Sequence, residues 1–311
     1  MRRIIMTALG GNALIRAGES ASIKGQFKNA RRALRALLPL FKEGAAMCLT
    51  HGNGPQVGNI LIRSEHSIGK AYIIPLEVAV GQSEGEIGYL LQQSVVNLLA
   101  KEGIQRDVVG LLTQVEVDTA DPAFRDPVKP VGPYLSVEDA EFLREQGLQV
   151  REEKGKGFRR VVASPAPIRI LESRVVADLV HRGVVVIAAG GGGIPVARKR
   201  GRYQGVAAVV DKDRAAGMLA RELRADMLLL LTGVDNVMLD YGTKHQKNIR
   251  EFSVSEAIRW LGEGQFPRGS MGPKIEASIE FLTNGGKEVL ITSPEKLSRA
   301  MAGEAGTRIV P

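Results

Sequence analysis

The sequence predicts a three-layer α/β protein, on three observations: short apolar runs recur along the chain, longer helical patterns separate them, and most runs stop at glycine or a polar residue. Such alternation builds crossover units on a mainly parallel sheet, whose strands are covered on both faces and so read as continuous apolar stretches. With 311 residues, 44% of them hydrophobic, the chain can bury a substantial core as one large domain or two lobes.

Taken in order, the expected strands are 4–9, 45–50, 108–113, 184–189, 227–232 and 288–292. The expected helices are 26–43, 54–67, 84–102, 168–182, 211–223, 255–262 and 273–283, several opening beside a glycine turn or with proline in the first turn. In open α/β sheets, ligands sit outside the carboxyl ends of strands. The turns after Leu9, Thr50, Ala189 and Thr232 are therefore where a site is expected.

The stretch 118–160 breaks the rhythm, with prolines at 122, 127, 130 and 133, a short helical pattern over 136–146, and the charged run Arg151-Glu152-Glu153-Lys154-Gly155-Lys156. A strand-like pattern resumes at 159–163, so this subdomain is expected to leave and re-enter the core. Spacing alone leaves both a hinged lid and a passive surface elaboration open.

Composition excludes several classes. The single cysteine, Cys48, rules out an intramolecular disulfide and reads as a small buried strand residue, which points to a reducing, cytoplasmic compartment. The apolar N-terminal stretch is too short for a secretion signal, and no run of about twenty apolar residues suggests a membrane span. A net charge of +8 suits an anionic partner. The run Arg198-Lys199-Arg200-Gly201-Arg202 lacks interleaved aromatics, so it reads as a solvated loop and no nucleic acid is expected.

Four segments could carry chemistry. Gly10-Gly11 follows the first strand, where backbone N–H groups lie open to an anion; it matches neither the P-loop nor the dinucleotide fingerprint, and a plain tight turn is the alternative. Gly52-Asn53-Gly54 follows the second strand and feeds a helix whose amides would face an anion, with His51 either catalytic or structural. Asp211-Lys212-Asp213 is either a capped helix start with a solvated lysine or a lysine held by a carboxylate to meet phosphoryl charge. In Gly269 to Lys274, Lys274 stands at a helix start, against the dipole, and needs an anion to justify it. No histidine or carboxylate cluster has zinc spacing.

Together these residues resemble the carbamate kinase family within the amino acid kinase fold. The matching segments are 8–14, 51–58, 127–133, 160–165, 190–196, 210–213, 231–235, 241–242 and 269–274, in order along the chain. The resemblance implies a sheet of about eight strands, an acceptor-binding lobe over 1–205, an ATP-binding lobe over 206–311, the lid at 118–160, and a homodimer. It also implies ATP or ADP with Mg²⁺ and carbamate as the small-molecule partners.

On that resemblance, Lys212 meets the transferring phosphoryl group, Asp211 orients it, Lys274 meets the ATP phosphates and Lys129 serves the acceptor from the lid. Gly10, Gly11, Asn12, Gly52, Asn53 and Gly54 would hold the transferred group and acceptor. Thr232, Val234, Asp235, Tyr241, Met271 and Gly272 would join Lys212 and Lys274 around ATP. The related acetylglutamate and glutamate kinases carry a first-strand lysine before the paired glycines, whereas Thr7-Ala8-Leu9 stand here. Two departures concern substrate preference: Ala188-Ala189 precede the four glycines where an acidic residue is expected, and Gln82-Ser83-Glu84-Gly85 matches loosely. Another kinase of this fold and a catalytically silent nucleotide sensor are the alternatives.

Overall fold

The computed structural model describes residues 2–11, 14–15, 22–153, 155–267 and 269–311. Eight strands form the central sheet, in the order Glu251–Ser253, Thr307–Val310, Glu288–Thr292, Met227–Leu231, Ile4–Leu9, Ala46–His51, Val185–Ile187, Val108–Gly110. Every neighbouring pair is parallel except Glu288–Thr292 with Thr307–Val310. The first strand thus lies at the centre, with Leu9 beside both Leu231 and His51.

Alternation along the first strand shows why three layers form. Met6 and Ala8 belong to the core that includes residues of the helices Ser173–His181, Lys212–Glu222 and Met271–Thr283. Ile5 and Leu9 belong to the opposite core, with residues of Ile23–Ala36, Leu76–Lys101 and Leu297–Met301. Successive strand side chains point to opposite faces, so a strand apolar at every position must be covered twice.

Several boundaries differ from expectation. The helix expected over 26–43 is two, Ile23–Ala36 and Leu38–Lys42, with Pro39 at the start of the second, where it needs no hydrogen-bonded N–H. The helix expected from residue 84 begins at Leu76 and runs through Gly81, Gly85 and Gly88, because its buried residues, from Leu76 and Ala79 onward, offset the low helix propensity of glycine. Residues 167–170 are a strand, and the helix expected from 168 starts at Ser173. The third strand stops at Gly110, and Gln114–Val117 turns away into a four-stranded sheet with Arg202–Gly205, Ile194–Lys199 and Pro167–Ile170.

The subdomain consists of the antiparallel strands Lys129–Leu135, Gly157–Val162 and Val150–Glu153 with the helix Val137–Glu145. It docks on the helix Gly54–Glu65 through Val131 and Val162, which pack with Val57, Ile60 and Leu61. The Arg160–Glu65 ion pair at 2.6 Å lies on the same seam. A β-carbon on Gly58 would stand 2.0 Å from Gly132 Cα, so the two backbones touch there. No helix among the described residues is long and apolar enough to cross a membrane.

Candidate active site

Parallel pairing of the first two strands brings their carboxyl ends, and both glycine turns, side by side. Gly10 N donates to Leu231 O at 2.8 Å and Gly52 N to Leu9 O at 3.0 Å. A β-carbon on Gly52 would lie 3.1 Å from Gly11 N and 3.5 Å from Lys212 Cδ. The turns therefore touch, with the stem of Lys212 against them. Asn53 is buried and its amide donates to Ser83 Oγ at 2.9 Å, so that side chain braces the turn. Asn12 and Ala13 of the first turn, like Lys154 of the charged run, lie outside the described residues.

The lysines converge from three parts of the chain. Lys212 Nζ donates to Asp213 Oδ1, and Lys274 Nζ donates to Asp213 Oδ2 at 2.9 Å and to Ser270 O at 3.3 Å. Lys129, from the subdomain, donates to Asp211 Oδ2. Asp211 caps the helix Lys212–Glu222 by accepting from Asp213 N at 2.9 Å. The two carboxylates divide the direct hydrogen bonds: Asp213 takes Lys212, and Asp211, expected to orient Lys212, takes Lys129 while attracting Lys212 through space. The reason is the helix cap, which commits one Asp211 oxygen to the backbone and leaves the other for the lid lysine.

Three ammonium groups face two carboxylates, an excess of one positive charge in a largely buried cluster. Burial opposes ionisation of Asp211, yet Lys129 and Lys212 together hold its pKa below the ordinary range. Asp213 is lowered in the same way by Lys212 and Lys274 against its burial. Burial lowers the Lys212 pKa, whereas for Lys274 the adjoining Asp213 outweighs burial and raises it. Removal of either aspartate would leave uncompensated buried cations, and an arriving anion would compensate them.

Beyond Lys274 opens a cavity of ≈480 Å³ lined by Thr232, Val234, Tyr241 and Met271, all expected there, and by residues that the sequence did not single out for it, Asn236, Met238 and Phe266 among them. Lys156 of the subdomain also lines it. Asp235 and Gly272 are not among its lining residues. Asp235 accepts from Ser293 Oγ at 2.5 Å, and Gly272 N donates to Pro267 O at 2.9 Å, so both shape the loops behind the wall.

His51 is wholly buried, with Nδ1 donating to Gly52 O at 3.2 Å and Nε2 without a partner. Burial pushes its pKa down to about 4, so the ring is neutral and serves as packing behind the glycine loop 190–193. At the expected acidic position stands Ala189, in the left-handed region at φ 52°. The carboxylate comes instead from Glu84, whose Oε1 accepts from Gly190 N at 3.0 Å.

The amino acid kinase family model matches residues 3–293. A carbamate kinase of Pyrococcus horikoshii is 42% identical over 99% of this chain and 99% of its own. The chain belongs to the amino acid kinase family. A carbamate kinase-like protein of Escherichia coli, YahI, is 43% identical over 100% of the chain and 99% of its own. Among solved structures, carbamate kinase from Giardia lamblia bound to AMP-PNP superposes with a TM-score of 0.91 at 38% identity, covering 99% of this chain and 98% of that one. The central sheet of eight strands with helices on both faces is the fold of this family.

Proposed function

We propose that this chain is a carbamate kinase, transferring a phosphoryl group reversibly between ATP and carbamate. The observation that carries this reading is the convergence of Lys129, Lys212 and Lys274 on Asp211 and Asp213, with Lys212 against two touching glycine turns, a nucleotide-sized cavity beyond Lys274 and no first-strand lysine. Full-length similarity to carbamate kinases supports it. ATP-dependence is supported by the AMP-PNP complex of the Giardia relative.

Carbamate is already an oxyanion, so no general base is required. Its oxygen forms the new bond to the γ-phosphorus as the bond from that phosphorus to the ADP oxygen breaks. The transition state is loose, so the protein contributes positioning and cancellation of charge. At ~4 Å, two unit charges repel by about 4 kcal/mol at an effective dielectric of 20.

In this reading Lys212 neutralises the transferring group, Lys274 the nucleotide phosphates, and Lys129 the acceptor. Backbone amides of Gly11 and Gly54 would meet the reacting oxygens, with Asn12 next in sequence, whereas those of Gly10 and Gly52, expected there too, are taken by Leu231 O and Leu9 O and hold the turns in place. Asp213 aligns two of the lysines, and Asp211 holds the third. The cavity wall of Val234, Met238, Tyr241, Phe266 and Met271 suits a purine. Both aspartates are committed to lysines, so Mg²⁺ would be carried by nucleotide oxygens and water, shielding the phosphate charge. The acceptor lobe at 1–205, the ATP lobe at 206–311, a cytoplasmic homodimer and the lid role of 118–160 belong to the same proposal, through the family resemblance.

The experiment is ATP formation from ADP and carbamoyl phosphate, with and without Mg²⁺. ATP is the expected product. Tight nucleotide binding with no ATP at any concentration would defeat the reading in favour of a silent sensor, and turnover with acetylglutamate instead would assign another kinase of this fold.

A further inference from the structure

Glu84 lies on the helix Leu76–Lys101, 3% exposed, with its carboxylate against the loop 189–193. Oε1 accepts from Gly190 N at 3.0 Å and from Thr113 Oγ1, and Oε2 accepts from Thr113 N at 3.1 Å. Thr113 Oγ1 in turn accepts from Ala189 N at 2.8 Å. One carboxylate therefore holds two successive loop amides, one directly and one through Thr113.

The loop needs holding. Ala189, Gly191, Gly192 and Gly193 all have positive φ, at 52°, 65°, 97° and 86°. Its far side is pressed against two segments of the candidate active site. A β-carbon on Gly191 would stand 2.0 Å from Asn53 Nδ2, and one on Gly192 would stand 2.3 Å from Val210 O. Val210 immediately precedes Asp211 and Lys212. The loop is thus a spacer between the Glu84 helix on one side and, on the other, the second glycine turn and the lysine-bearing segment.

We propose that Glu84 is a positioning residue for phosphoryl transfer, its ionised carboxylate holding the loop 189–193 in the path that sets Lys212 against the glycine turns. This rests on the kinase reading above. Burial pushes the Glu84 carboxyl up to about 7, with its hydrogen bonds to Thr113 and Gly190 opposing the shift and Glu172 adding to it. Two titratable groups face it: His51 from the second strand, neutral and sharing a cavity of ≈220 Å³ with Glu84, and Glu172 ahead of the helix Ser173–His181. Lys212 acts on His51 from the active-site side. No cation pairs with Glu84 among the described residues. A protonated Glu84 has one acceptor fewer for the same three donors, so the loop loosens as pH falls through about 7.

The test is kcat for ATP formation from ADP and carbamoyl phosphate between pH 5.5 and 9, for the wild type, Glu84→Gln, Thr113→Val and Thr113→Ser. Wild-type kcat should rise through an inflection near 7. Glu84→Gln should lose that inflection and run at least ~10-fold lower at high pH. Its KM for ADP should stay within about twofold, because the nucleotide cavity lies in another part of the chain. Thr113→Val removes a donor to the carboxylate and should move the inflection upward, and Thr113→Ser should restore it. A Glu84→Gln profile superimposable on the wild type, or an unmoved inflection in Thr113→Val, would overturn the proposal. Absence of ATP from the wild type would overturn the kinase reading itself and this one with it.

Discussion

The Asp213 carboxylate accepts a 2.9 Å hydrogen bond from the Lys274 ammonium, 61 positions away in sequence, while its other oxygen takes Lys212. One buried carboxylate thereby fixes the spacing of two cations that meet the same phosphate chain in the proposed reaction.

Asp213→Asn should leave both lysines without a full counter-charge. The expected destabilisation is about 3–5 kcal/mol by denaturant unfolding. Added ATP should raise the Tm of the variant more than that of the wild type, since the phosphates supply the missing charge. A variant as stable as the wild type would show that Asp213 does not hold the pair.

Lys212→Ala removes a pre-placed charge at the transferring group. Turnover should fall on the order of 10²- to 10³-fold, with the far-ultraviolet circular dichroism unchanged. Near-normal turnover would remove Lys212 from the mechanism.

Lys129 is delivered by the subdomain and reaches Asp211 across the cleft. Lys129→Met should raise KM for carbamoyl phosphate by at least ~10-fold and leave KM for ADP nearly unchanged. An equal rise in both constants would mean that Lys129 shapes the whole cleft and does not serve the acceptor alone.

Gly58→Ala would drive a methyl group into the Gly132 backbone, where the two chains already touch. Overpacking at such a contact costs about 1–3 kcal/mol. The subdomain should dock less tightly, so its backbone amides should exchange faster with deuterium than those of the central sheet. Unchanged exchange in residues 129–162 would contradict the seam as described.

His51 and Glu84 impose opposite pH dependences on stability. The folded-state pKa of His51, about 4, lies below its ordinary 6.5, so the folded protein binds fewer protons between these values and stability rises as pH rises through that window. For Glu84, about 7 folded against 4.5, the folded state binds more protons and stability falls as pH rises from 4.5 to 7. Each shift is worth on the order of 3 kcal/mol. Glu84→Gln should therefore unmask a rise in Tm between pH 4.5 and 6.5 that the wild type largely cancels. Parallel Tm curves for the two proteins would refute the opposition.

Much of the architecture was legible in the sequence. Ile4–Leu9, Met227–Leu231 and Glu288–Thr292 are apolar runs because both faces of a central parallel strand are buried, and that pattern survives without knowledge of neighbours. Boundaries were misread where tertiary burial overrode local propensity, as in the helix from Leu76 that continues through three glycines. In the site, Gly10, Gly52, Lys212 and Lys274 stood out because paired glycines at strand ends and lysines at helix starts are locally odd. Asp213 had no separable role in the sequence, since two aspartates flanking one lysine at a helix start look equivalent until the cap uses one of them. Asn236, Met238 and Phe266 carried no signal, being ordinary residues that line a cavity only once their loops are folded together.

The feature the sequence determined by itself is the set of strand-end turns: glycine and apolar periodicity are local properties, and a parallel sheet sends every such turn to one edge. Which carboxylate holds which lysine was decided only by the tertiary structure. Lys129, the segment from Asp211 to Asp213 and Lys274 come from three distant parts of the chain, and Coulomb attraction depends on separation in space.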